Sequence, residues 1–183
     1  VAAWILKKRP MAESNKLLVG LFPAREVQAE IEAHRKNWWW PRGCSFPPVD
    51  RLHLTLQYLP DQQGNAEQRL RAALAEVSMQ PLQLTLDRSC TWSNDASVVQ
   101  PSEHEDLRRL QYDISRALVR AGFSLDVHVR GWTPHVTIAR DAERAARPTS
   151  LKPIRWTATE FRLVRSHFTY PFRHEPLGSY PLH

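Results

Sequence analysis

Two stretches of this chain, RLHLTL at 51–56 and TPHVTIAR at 133–140, alternate apolar and polar residues around a His-x-Thr triplet. A period of two is that of a β-strand, whose successive side chains point to opposite faces. The first stretch continues to 59, with Leu52, Leu54, Leu56 and Tyr58 on one face and His53 and Thr55 on the other. In the second, Val136 and Ile138 lie behind His135 and Thr137. Each strand is half core and half polar display. A fold for this chain must bury one side of both strands and leave the His-x-Thr side open.

The two histidines stand 82 residues apart, close to half of the 183-residue chain. With 8 histidines, chance gives about 0.4 His-x-Thr triplets, and about 0.07 once apolar residues are required at x and after the threonine. His167-Phe168-Thr169-Tyr170 is a third match. It follows the second by only 32 residues, with no helical pattern between, and Pro171 after it marks a strand end or edge. His53 and His135 are therefore taken as the working pair.

The elements around them repeat in order. KLLVGLF at 16–22 reads as a buried strand, and Pro23 opens a helix over 24–36. The segment 37–50, with its prolines and Trp38, Trp39 and Trp40, reads as a loop. A turn over 61–65 leads into a helix over 66–77 and a strand over 82–87. A second strand over 96–100 follows. Ser102 and Glu105 match a capping box for an amphipathic helix over 103–121, which ends at Gly122. Strands are expected over 125–130, 133–140 and 154–165, with a polar connection over 141–153 and a short strand in the tail. Each half has a helix followed by a strand that bears His-x-Thr. The order predicts a two-lobed α+β protein with an internal duplication.

Composition narrows the class. Apolar residues make up 42% and charged residues 24%, an ordinary globular balance. No apolar run is long enough to span a bilayer. The apolar start, residues 1–6, precedes its basic residues, the reverse of a secretory signal, so 1–15 is read as a flexible leader before one domain over 16–183. Cys44 and Cys90 fit no metal spacing and read as reduced thiols in a cytoplasmic, monomeric protein. A net charge of +6 favours encounter with polyanions without specifying one.

Two His-x-Thr strands facing each other supply two imidazoles and two hydroxyls. Within one triplet the two side chains stand roughly 6.5–7 Å apart along the strand. Hydrolysis of a cyclic phosphodiester needs such a set. One neutral imidazole takes a proton from water, and one protonated imidazole gives a proton to the leaving alkoxide. The hydroxyls stabilise charge on the phosphoryl oxygens. No metal or other cofactor is needed, and no carboxylates appear at metal spacing. We assign His53 as acid and His135 as base; exchanged roles would use the same rings.

RLHLTLxYL and TPHVTIAR resemble the two signature strands of the 2H phosphoesterase superfamily, in particular its bacterial and archaeal RNA 2′,3′-cyclic phosphodiesterase branch, historically called 2′-5′ RNA ligase. LLVGLFPAREV resembles that branch's first strand and helix start, and FRLVRSHFTYPFRHEPLGSYPL its closing hairpin. The resemblance covers about 16–183. It implies a bilobal fold with two antiparallel sheets lining a central cleft and helices outside. It implies hydrolysis of an RNA-terminal 2′,3′-cyclic phosphate, commonly to a 2′-phosphate, without metal. His53, Thr55, His135 and Thr137 match its motifs, and Arg140 matches a basic residue often found after the second. The usual L-x-F-L-G after the first motif is here replaced by Gln57-Tyr58-Leu59-Pro60, and the tryptophan-rich loop is unusual.

Other residues carry weaker expectations. Arg140 suits an oxyanion. One of Trp38, Trp39 and Trp40 should be core, the others being candidates for base stacking. Tyr58 should be core, while Ser166 and His167 are candidate cleft residues. His34, His104, His128, His174 and His183 are read as surface or locally bonded histidines, and Arg42 and Arg130 as solvated charges. Competing readings are reversible 2′-5′ RNA ligation, action on a small cyclic nucleotide, and a non-catalytic RNA-end binding module.

Overall fold

The computed structural model describes residues 15–125, 131–169 and 171–183. Most of the 1–15 leader and of the strand expected over 125–130 lies outside the described residues. The element order is β1 (Lys16–Leu21), α1 (Arg25–Lys36), β2 (Leu54–Pro60), α2 (Gly64–Ala75), β3 (Leu82–Thr91), β4 (Ser97–Pro101), α3 (Glu105–Arg120), β5 (Val136–Ala139), β6 (Ile154–Ala158), β7 (Glu160–His167) and β8 (Arg173–Pro181).

Among the described residues all strand pairs are antiparallel, in the order β6-β3-β4-β5-β2-β1-β7-β8. The class is α+β, as expected. The two expected sheets are one, because backbone pairing continues across their boundary. That seam is narrow: β2 and β5 pair only at Leu54 and Val136. Four of the described strands lie on either side of it, with β5 and β2 at the centre of the sheet.

The strand expected over 154–165 is two strands. β6 ends at Ala158 and pairs with β3, whereas β7 begins at Glu160 and pairs with β1. These strands hold the first and seventh places in the sheet. In a flat sheet such places would be roughly 29 Å apart at about 4.8 Å per strand. A single intervening residue spans about 7 Å. The sheet must therefore curl back on itself at this end. Leu182 N–H donates to Thr159 O at 2.8 Å across the junction.

The core fills the space under the helices. Val27 and Ile31 of α1, Leu70 and Leu74 of α2, and Leu107, Leu110 and Ile114 of α3 join one cluster with Leu17, Leu54, Leu56 and Val136 of the strands. The helical residues recur at three- and four-residue spacing, which gives each helix one apolar stripe. The capping box does not form. Ser102 instead turns back to Asp87, its N–H donating to Oδ1 at 2.8 Å and its Oγ to Oδ2 at 2.5 Å. The helix starts later, with His104 at its N-cap.

Candidate active site

β2 and β5 hold the site because their buried sides are fixed. Leu54, Leu56, Val136 and Ile138 are fully buried, while Thr55 and Thr137 on the opposite side remain partly exposed. Leu54 faces Val136. Continuing that antiparallel register by one residue each way puts His53 opposite Thr137 and Thr55 opposite His135. The two histidines then lie on a diagonal, with Cβ atoms roughly 7–8 Å apart. All four residues line one cavity of about 150 Å³, together with Arg140.

The histidines are held alike. His53 Nδ1 lies 2.7 Å from Arg51 O, and His135 Nδ1 lies 2.8 Å from Thr133 O, each two residues upstream. A carbonyl only accepts, so Nδ1 carries the hydrogen in both rings. That leaves Nε2 with its lone pair in the neutral ring. Burial is the main force lowering the pKa of both. His53 is brought down to about 4, with further lowering by the charges of His174, His135 and Arg140. Arg140 also lowers His135. The hydrogen bond to the upstream carbonyl opposes this in each ring. Both rings are therefore poised as neutral bases in the free protein.

A family model described as the 2′-5′ RNA ligase superfamily matches residues 22–169. The chain belongs to that superfamily. It is thus a 2H phosphoesterase. The RNA 2′,3′-cyclic phosphodiesterase of Escherichia coli strain K12 is 30% identical, over 81% of this chain and 87% of that protein. A crystal structure of a phosphoesterase superposes with a TM-score of 0.80 at 25% identity, covering 93% of this chain and 99% of that one. Escherichia coli LigT in complex with NADP+ gives the same score and coverage at 24% identity, a likeness of fold.

Several residues of this 2H phosphoesterase depart from the sequence reading. Tyr58 is not core. It is 37% exposed, lines the cavity, and has its hydroxyl 3.4 Å from Thr55 Oγ1. The cause is a bulge: Thr55 pairs with Gly20 but Gln57 with Val19, so the alternation slips and Gln57 is buried instead. Trp38 is core, as one of the three was expected to be. It donates from Nε1 to His34 Nε2 at 3.0 Å and stacks on Trp40 at 4.8 Å. Trp39 is exposed, away from the lining of the His-x-Thr cavity.

His167 is bound by Glu175 at 2.7 Å and does not line the cavity that holds His135. It faces, with Ser166, an adjoining bay that His53 shares. His174, read as a local histidine, also lines that bay and packs on His53. Two tryptophans were missed altogether. Trp92 packs on the His135 ring at 4.4 Å, and Trp132 donates from Nε1 to Thr55 O at 3.2 Å. Trp132 lies three residues before His135, and that proximity was the one available signal.

Proposed function

We propose that the chain hydrolyses RNA-terminal 2′,3′-cyclic phosphates to 2′-phosphate ends, without metal. The observation that carries this reading is the matched pair of imidazoles, each tied back through Nδ1 and sharing one cavity with two threonine hydroxyls. The name of the Escherichia coli relative supports the same substrate class.

Water attacks phosphorus while one imidazole accepts its proton at Nε2. The bond from phosphorus to the 3′ oxygen breaks, and the other imidazole delivers its Nε2 proton to that oxygen. Thr55 and Thr137 donate to non-bridging oxygens, and Arg140 offsets their charge. With His53 as acid, the bound phosphodiester must raise its proton affinity before it can serve. The value of about 4 in the free protein favours a second reading, in which His53 is the base and His135 the acid. Ligation through a 2′-5′ bond is the same ring opening with a 5′ hydroxyl in place of water: it attacks phosphorus, gives its proton to one imidazole, and the 3′ oxygen leaves with a proton from the other.

The test is turnover of an oligonucleotide ending in a cyclic phosphate, with chelator present. His53→Ala and His135→Ala should each reduce 2′-phosphate formation by about 10²–10⁴-fold, and chelator should change nothing. Full activity in either variant removes the two-histidine mechanism. Binding of RNA ends without turnover by the natural chain would leave only a binding module.

A further inference from the structure

The His-x-Thr cavity opens onto a larger bay of about 450 Å³, which shares His53, Tyr58, Arg51 and Arg140 with it. Phe46, Phe168 and Phe172 are among the residues that line the bay, and Phe46 and Phe172 are 44% and 55% exposed. Arg173 stands beside Phe172, also exposed. No aspartate or glutamate is among the described residues that line the bay. Exposed aromatic rings next to guanidinium groups, with no carboxylate, form a surface for a base and a phosphate together.

Phe172 is fastened to the short helical turn, Val49–Arg51, that precedes β2. The Arg51 guanidinium donates to Phe172 O, and Arg51 O accepts from His53 Nδ1. One residue thus anchors both the loop that presents Phe172 and the ring that faces the reacting phosphate. A group seated against Phe172 would share the bay that His53 also lines.

We propose that this bay is a nucleotide subsite for the strand leading to the reacting end, with a base against Phe172 and the adjoining phosphodiester at Arg173. The proposal rests on the cyclic-phosphate reading and deepens it: the preferred substrate is an unpaired oligonucleotide end, not a cyclic mononucleotide. Base stacking on one aromatic ring is worth roughly a 5- to 150-fold gain in affinity.

Calorimetric binding keeps this separate from turnover. The probes are a dinucleotide ending in a 2′-phosphate and the corresponding 2′-mononucleotide. The natural chain should bind the dinucleotide at least about fivefold more tightly. Phe172→Ala and Arg173→Gln should each remove most of that advantage. Phe172→Ala keeps the carbonyl that Arg51 uses. An NMR titration of His53 and His135 with inorganic phosphate should show that the variants keep a folded site. Equal binding of the two probes, or an advantage that survives both substitutions in folded variants, overturns the subsite. If the advantage is present but a cyclic-phosphate end is not hydrolysed, the subsite stands and the hydrolase reading falls.

Discussion

His174 stands edge-on to His53, with ring centroids 5.2 Å apart and planes at 72°. Phe22 packs on both rings, at 5.6 Å and 6.1 Å. The Phe22 and His174 rings cover part of the His53 imidazole and add to its burial, while the rest of the residue lines the His-x-Thr cavity. This burial is the largest cause of its low pKa, and the charge of His174 adds to it.

The charge contribution can be removed alone. His174→Gln keeps a polar side chain at the position but deletes the titrating ring. The His53 midpoint should rise from about 4 toward 6.5 by only a small part of that gap, because the main cause, burial, stays in place. Proton NMR of the imidazole ring protons against pH reads this directly. A midpoint that stays put or falls would remove His174 from the account of how His53 is tuned.

The same low value couples acidity to stability. The folded chain holds His53 neutral down to about pH 4, whereas the unfolded chain protonates it near 6.5. Between those values the unfolded state binds more protons, so stability rises with pH. The contribution is fully present above about 6.5 and is lost as pH falls toward 4. Burial lowers His34, His135 and His174 as well, so their contributions have the same sign. From pH 7 to pH 5, His53 alone should cost the natural chain about 2 kcal/mol of unfolding free energy. Urea denaturation of the natural chain and of His53→Gln at the two pH values checks this. The variant should lose less stability on acidification, and an equal loss in both would contradict the shift.

What was legible in the sequence was what local periodicity controls. Strict alternation around His53 and His135 identified both site strands, their buried sides and the residues they display. The helices were legible from their apolar stripes, to within two residues at their ends. What failed depended on contacts distant in sequence. Tyr58 was assigned to the core because a period of two was carried through Leu56, where the pairing with β1 slips. The break at Thr159 was invisible because residues 154–165 alternate on both sides of it while pairing with opposite halves of the sheet. His174 reaches His53 only through the β7–β8 hairpin, and its own neighbours in sequence carry no sign of that. The capping box was a correct local pattern that lost to Asp87, a tertiary partner.

Gly20 gives a direct test of how tightly the seam is held. It pairs with Thr55 at the bulge, and a Cβ there would lie 2.9 Å from Leu54 O. That oxygen is backbone, so relief requires moving the strand. Leu54 is also the residue whose pairing with Val136 joins the halves, and it adjoins His53. Gly20→Ala should therefore destabilise the fold by roughly 1–3 kcal/mol, the usual cost of overpacking a filled core. It should also shift β2 relative to β5 and so disturb the diagonal of the two imidazoles. Denaturation measures the first effect. Cyclic-phosphate turnover, measured where the variant is still folded, reads the second and should fall at least about tenfold, since small misplacements of catalytic groups are costly. Natural stability together with natural turnover would mean that β2 yields freely at this point, and that the register at Leu54 does not set the spacing of the histidines.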